Sequence, residues 1–157
     1  MWGSRRCQGM SEEVRAHTAL HVLKGAAVEV LGVKWTAGVS VSGSHGRLTL
    51  QCDRKPTEEE MRRVEEAANR VISEDIGVEE LVMDRSEAEK QWGDLIYDLF
   101  PIPESVTELS ICHIPGWNVN ACNREHCSST GGVGSLAISK YRYRANKGVL
   151  EISFDIG

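Results

Sequence analysis

The chain has 157 residues and a formal net charge of −5, with 41% apolar and 26% charged residues. This length supports one domain with a hydrophobic core, and the composition is typical of a soluble folded protein rather than a disordered or fibrous one. No apolar run approaches the roughly 20 residues that cross a bilayer, and the start lacks a signal-peptide core, so we expect a cytoplasmic protein without membrane contact. The negative charge argues against DNA coating and limits nucleic-acid contacts to a local basic patch.

The first predicted element is a long amphipathic helix over residues 11–31. Two glutamates occupy its first turn, apolar residues recur at helical spacing, and a glycine comes directly after its end. Because side chains recur every 3.6 residues, His17, His21 and Lys24 are expected to share one face. Residues 1–9 differ in character from the rest of the chain. We predict that they form an N-terminal extension and that the folded domain covers residues 10–157.

The next segments predict a β-hairpin and a second helix. The stretch "KWTAGVSVSGSHGRLTLQCD" alternates around a turn-rich centre, which places His45 in the turn. In "PTEEEMRRVEEAANRVISEDIG", Thr57 and Glu60 form a capping box before an apolar stripe. We therefore expect an antiparallel strand pair followed by a helix.

The second half is predicted to contain mostly strands. "VEELVM" is expected to be a short strand, and Ser86 with Glu89 predicts a capped helix running towards Trp92. Residues 107–122 are rich in β-type side chains, and residues 135–156 predict a terminal hairpin. No repeat or linker divides the chain. The predicted fold is α+β, a single compact domain with an antiparallel sheet packed by helices.

Two short motifs offer metal ligands. "HTALH" places His17 and His21 four positions apart, and "ACNREHC" does the same for Cys122 and His126. Imidazole and thiolate are the donors that tetrahedral zinc prefers, and an odd number of cysteines fits free thiols and metal ligands better than disulfides. The alternative is a hydrogen-bonded helix histidine and a buried thiol. "HTALH" lacks the glutamate of His-Glu-x-x-His proteases, which argues against a protease.

Several stretches resemble the small AlaX alanyl-tRNA editing proteins, relatives of the alanyl-tRNA synthetase editing domain. They are "RAHTALHVLKGA", "KWTAGVSVSG", "VEEAANRVI", "YDLFPIPE", "WNVNACNREH" and "GVGSLAISKYRYRANKGVLEISF". The resemblance runs from about Met10 to the C-terminus. The paired His-x-x-x-His and Cys-x-x-x-His motifs, in this order, are specific to that superfamily, which includes the threonyl-tRNA synthetase editing domain. The resemblance implies that fold.

The resemblance also implies an activity and a cofactor. The expected activity is ATP-independent trans-editing that protects translation fidelity: hydrolysis of the carboxylic ester of mischarged Ser-tRNA(Ala), with Gly-tRNA(Ala) as a second candidate substrate. One Zn²⁺ per chain would be held by His17, His21, Cys122 and His126. No catalytic side chain is assigned, and the expected nucleophile is a water bound to or positioned by the zinc. Editing of Ser-tRNA(Thr) and a non-catalytic zinc-stabilised RNA-binding module stay open as alternatives.

Two residues are candidates for substrate binding. A site that must sense one added hydroxyl needs a hydrogen-bonding partner for it, because an apolar pocket rejects such an isostere poorly. Thr36 offers a hydroxyl, and the resemblance places it in the pocket; otherwise it is an ordinary strand residue. Asp98 is a candidate for holding the substrate ammonium, and its alternative role is to cap a turn.

A basic strip is the candidate tRNA contact. Lys140, Arg142 and Arg144 fall on one face of a predicted strand, and Lys147 lies in the turn after it. Such a strip can contact phosphates of the expected partner, mischarged alanine tRNA presenting its acceptor end. The alternative is a solvated edge that deters aggregation.

Overall fold

The computed structural model describes residues 11–157. The predicted extension at residues 1–9, and the domain start at Met10, lie outside the described residues. Within 11–157, no helix has the length and apolar character needed to cross a membrane. The described chain is a single α+β domain, as predicted, with helices packed against two antiparallel sheets.

Three α-helices and two short 3₁₀ helices form the helical part. The α-helices are α1 (Glu12–Leu31), α2 (Glu58–Glu74) and α3 (Arg85–Trp92), and the 3₁₀ helices are Gly93–Ile96 and Thr130–Val133. Helix α1 begins after Ser11, whose hydroxyl accepts from Val14 N at 3.2 Å, and ends at Gly32 with a left-handed φ of 70°. The predicted first helix is therefore confirmed.

The starts of α2 and α3 are determined in different ways, the first by neighbouring residues and the second by a contact with a distant segment. The predicted capping box of α2 is present, because Glu60 N donates to Thr57 Oγ1 at 3.0 Å and Thr57 N donates to Glu60 Oε1 at 2.9 Å. The predicted cap of α3 by Ser86 is wrong. This helix begins at Arg85, whose N donates to Thr107 O at 2.8 Å. That contact with a distant segment starts the helix before Ser86, which lies in its first turn.

Seven strands form two antiparallel sheets. They are β1 (Thr36–Ser42), β2 (His45–Gln51), β3 (Glu79–Asp84), β4 (Glu108–Ile114), β5 (Asn118–Ala121), β6 (Leu136–Arg144) and β7 (Val149–Ile156). The four-stranded sheet has the order β1-β2-β7-β6, and the three-stranded sheet has the order β3-β4-β5. The two predicted hairpins are confirmed. His45 begins β2 instead of lying in the turn, and its Nδ1 is 3.0 Å from Asp155 Oδ1.

The main core lies between α1, α2 and the four-stranded sheet, and a smaller core lies under the three-stranded sheet. Trp117 fixes the second sheet to α1, because its indole Nε1 donates to Val22 O at 2.9 Å. The ring packs directly on Gly25, where any Cβ would overlap the indole. This contact matters for function because β5 comes directly after Trp117 and leads to Cys122.

Candidate metal centre and adjoining pocket

The two predicted ligand pairs meet in the structure. His17 and His21 lie on α1, and Cys122 and His126 lie in the loop after β5; their ligand atoms are all within 4.8 Å of one another. His17 Nε2 is 3.2 Å from Cys122 Sγ, which is 3.5 Å from His126 Nε2. His126 Nε2 is 3.1 Å from His21 Nε2. The four side chains form a cluster that could bind a metal ion.

Three of the donor separations are close to those of a tetrahedral zinc site, and the others lie within 4.8 Å. Zn–N bonds of about 2.0–2.1 Å and Zn–S bonds of about 2.3 Å place neighbouring nitrogens roughly 3.3 Å apart and nitrogen and sulfur roughly 3.6 Å apart. The observed separations of 3.1, 3.2 and 3.5 Å are close to these values. Three imidazoles and one thiol are also the donor types that zinc prefers.

The loop that carries Cys122 and His126 is tied to its surroundings by backbone hydrogen bonds. Cys122 N donates to Ser110 O at 2.8 Å. Thr18, buried in α1, accepts from Cys127 N at 2.9 Å and donates its hydroxyl hydrogen to Val14 O at 2.9 Å. Thr18 directly follows a ligand on the helix, and Cys127 directly follows a ligand on the loop. This contact therefore sets the distance between the two ligand pairs.

A carboxylate outside the cluster orients the buried His126 ring. Glu80 Oε2 lies 2.9 Å from His126 Nδ1. A carboxylate accepts a hydrogen bond from Nδ1–H, so the neutral ring carries its proton on Nδ1 and directs an unprotonated Nε2 at the cluster, the arrangement usual for metal-binding histidines. Sequence analysis missed Glu80, because it lies on β3 and only tertiary structure brings it to a loop 46 residues away.

Burial shifts the pKa values of His17, His21 and Cys122. Burial lowers the pKa of His17 to about 4, with smaller contributions from the charges of His126 and Arg124. Burial also lowers the pKa of His21 well below its usual value. Both imidazoles are therefore neutral at pH 7 and can donate lone pairs. Burial raises the pKa of the Cys122 thiol, so a nearby cation is needed to hold the thiolate.

A small cavity of about 70 Å³ adjoins the cluster. This volume has room for a small polar group. Besides three cluster residues and several apolar side chains, its walls contain four polar residues: Lys24, Thr36, Asp98 and Asn120. Thr36 and Asp98 are the two substrate-binding candidates of the sequence analysis, which assigned no role to the other two.

The polar wall residues are bonded to one another in two pairs. Lys24 Nζ donates to Thr36 Oγ1 at 2.7 Å, and Asn120 Nδ2 donates to Asp98 Oδ1 at 3.3 Å. Leu99 N donates to Thr36 O at 2.8 Å, which fixes the segment carrying Asp98 beside β1. Burial raises the pKa of Asp98, opposed by the Asn120 hydrogen bond and the Lys24 charge. The cavity thus presents a hydroxyl, a cation and a carboxyl group.

A larger cavity of about 400 Å³ is also lined by His17, and its walls include Ser40, Val41 and Arg124. His17 is half-buried, whereas His21 and His126 are buried. The cluster is therefore open to this larger cavity through His17, and Cys122, also half-buried, lines a further cavity of about 340 Å³.

The basic strip lies far from the cluster. Lys140 and Arg142 are exposed on β6, and Lys147 is exposed in the turn. Arg144 is half-buried, with Nε 3.0 Å from Glu151 Oε2. Strand β6 is at the opposite edge of the sheet from β1, which carries Thr36. Three strand spacings separate these edges, about 14 Å.

No family model matches the chain. The alanine–tRNA ligase of Methanopyrus kandleri is 40% identical over 144 residues, which are 91% of this chain and 15% of that protein. The alanine–tRNA ligases of Thermofilum pendens and Pyrococcus abyssi are 34% and 36% identical, over 92% and 93% of this chain.

Nearly the whole chain is thus homologous to one segment of alanine–tRNA ligases. The chain spans only about 15% of the length of the Methanopyrus kandleri relative.

Proposed function

We propose that the protein is an aminoacyl-tRNA deacylase that hydrolyses the ester of Ser-tRNA(Ala), with Gly-tRNA(Ala) as a second substrate. The observation that carries the proposal is the small polar cavity beside the four-ligand cluster, which contains a hydroxyl from Thr36 and a carboxyl group from Asp98. Homology to a segment of alanine–tRNA ligases supports alanine tRNA as the carrier. The resemblance to free-standing editing proteins supports action in trans.

The proposed roles follow from the chemistry of each group. His17, His21, Cys122 and His126 would hold zinc. When bound, zinc supplies a positive charge that polarises a carbonyl oxygen or lowers the pKa of a water molecule. Asp98 accepts hydrogen bonds from the substrate ammonium, and Thr36 bonds the serine hydroxyl.

The reaction itself needs no covalent enzyme intermediate. A water oxygen adds to the ester carbonyl carbon, and the bond from that carbon to the ribose oxygen then breaks. The ribose oxygen takes up a proton from the attacking water, which yields free serine and uncharged tRNA. Because the ester is already reactive, orientation and charge stabilisation by the cavity are sufficient to accelerate it. Hydrolysis is downhill and requires no ATP.

The substrate would reach the small cavity from the side of the cluster where His17 lies. The 400 Å³ cavity beside His17 offers room for the acceptor end, and Arg124 in its wall offers a charge for a phosphate. The basic strip, on the opposite edge of the sheet, would contact the tRNA farther from its aminoacyl end.

The test is incubation of the purified protein with alanine tRNA charged with serine, glycine or alanine, and with Ser-tRNA(Thr). We expect release of serine and glycine from alanine tRNA and little release of alanine. Faster hydrolysis of Ser-tRNA(Thr) than of Ser-tRNA(Ala) would identify a threonine-specific editing module. Binding of tRNA without release of any amino acid would identify a zinc-stabilised RNA-binding module and refute the proposed activity.

A further inference from the structure

We propose that Lys24 is a specificity-determining positioning residue: its ammonium holds the Thr36 oxygen as an acceptor, so that the Thr36 hydroxyl hydrogen is presented to the side-chain oxygen of serine. This inference rests on the proposed function and adds a residue to which neither the motifs nor the resemblance assigned a role. Lys24 would act on the substrate through Thr36.

Only one donor–acceptor arrangement is possible for the hydrogen bond between Lys24 and Thr36. Lys24 is buried, with 6% of its surface exposed, and its Nζ lies 2.7 Å from Thr36 Oγ1. An ammonium group has three donors and no acceptor, so the Thr36 oxygen must accept. Burial lowers the pKa of Lys24 to about 8, opposed by the charge of Asp98, so the charged form predominates at pH 7.

The Thr36 hydroxyl hydrogen is then left for a ligand. Among residues 11–157, the Thr36 hydroxyl forms no hydrogen bond besides the one from Lys24, although Thr36 is buried, with 6% of its surface exposed, and lines the cavity. Lys24 forms no ion pair with a described carboxylate, so Thr36 is its polar partner. The pair thus presents one unused O–H donor to the 70 Å³ cavity.

An unused donor explains rejection of alanine as well as acceptance of serine. The oxygen of a serine side chain can accept from Thr36, whereas the methyl group of alanine would displace water and leave the O–H unpaired. A site with a buried polar group disfavours the substrate that cannot satisfy it. Glycine leaves space for a water molecule, so hydrolysis of Gly-tRNA(Ala) depends less on the Thr36 O–H donor.

Lys24 also connects the proposed selection of serine with the four-ligand cluster. It lies one helical turn after His21 on the face of α1 that carries both histidine ligands, and all three line the same cavity. A single rigid helix therefore positions the metal ligands and the group that orients Thr36.

The experiment is a double-mutant cycle on substrate preference. Lys24→Met, Thr36→Val and the double variant are compared by the ratio of kcat/KM for Ser-tRNA(Ala) to that for Gly-tRNA(Ala). Each single variant should lower this ratio about two- to tenfold, the size expected for one hydrogen bond. If Lys24 acts through Thr36, the double variant should show the same ratio as Thr36→Val alone.

Two further variants control for charge and folding. Lys34→Met removes a lysine that is bonded to Asp94 outside the cavity, and it should keep the wild-type ratio. Lys24→Gln keeps an N–H donor without the charge and should give a ratio between those of the wild type and Lys24→Met. Circular dichroism and thermal unfolding of each variant verify that the compared proteins are folded.

Separate outcomes overturn the inference and the function on which it rests. A wild-type ratio in folded Lys24→Met or, should that variant not fold, in Lys24→Gln refutes the positioning role while leaving the deacylase intact. If the fold-changes in this ratio caused by Lys24→Met and by Thr36→Val multiply in the double variant, Lys24 does not act through Thr36. A wild-type protein that releases neither serine nor glycine refutes the deacylase, and the inference with it.

Discussion

Replacing Glu80 by alanine should weaken metal binding without removing a ligand. The carboxylate accepts from the fully buried His126 ring at 2.9 Å and keeps Nε2 free of a proton. Loss of such an outer partner typically reduces metal affinity about 10- to 100-fold. Because 54% of the Glu80 side chain is exposed, water can replace part of the interaction. We therefore expect a loss of about tenfold, or about 1.4 kcal/mol.

The adjacent residue provides a matched control. Glu79 lies on the same strand, is 52% exposed, and its Oε1 is 2.7 Å from Nδ1 of His113, which is not part of the cluster. Glu79→Ala removes a carboxylate–histidine pair of the same kind and should leave metal affinity unchanged. Glu80→Gln keeps an acceptor oxygen, and its metal affinity should lie between those of the wild type and Glu80→Ala.

The assay is competition for zinc between each purified variant and a chromophoric chelator at fixed pH. Equal dissociation constants for Glu80→Ala and the wild type would refute the orienting role. An equal weakening by Glu79→Ala would show that surface charge on β3, rather than contact with His126, controls affinity.

Three further predictions concern the proposed metal, the basic strip and the contact between Gly25 and Trp117. Elemental analysis of purified protein should find about one zinc per chain, and Cys122→Ala should sharply reduce it; a zinc-free but active wild type would contradict this. Replacing Lys140, Arg142 and Arg144 together by alanine should weaken tRNA binding and reduce its salt dependence, whereas unchanged affinity at several salt concentrations would make the strip a solvated edge. Gly25→Ala should lower the free energy of unfolding by about 1–3 kcal/mol, because the added methyl group on α1 overlaps the indole of Trp117; an increased Tm would show that helix propensity outweighs that overlap.

The parts of the fold that the sequence predicts are those controlled by neighbouring residues. The capping box of Thr57 and Glu60 involves residues three positions apart, and it is present. The terminal hairpin results from alternation around a short turn. The cap predicted at Ser86 is wrong because a hydrogen bond from Arg85 to Thr107 decides where that helix begins.

The same division holds in the candidate site. The pairing of His17 with His21 is a property of helical spacing and can be predicted from the sequence. The contacts of Glu80 with His126 and of Lys24 with Thr36 join separate elements, and no short motif encodes them. Predicting them requires the arrangement of α1 against both sheets.

Helix α1 explains how one cavity can join metal binding and substrate selection. Its inner face carries His17, His21 and Lys24, so the backbone positions of these residues cannot shift relative to one another without bending the helix. Thr18 ties the Cys122–His126 loop to this helix, and Trp117 ties the second sheet to it. Thr36 is bonded to Lys24 on α1, and the segment that carries Asp98 is bonded in turn to Thr36 O through Leu99 N. Such preorganisation is what selection by a single hydroxyl requires, because a small shift of the cavity wall would lose the discriminating hydrogen bond.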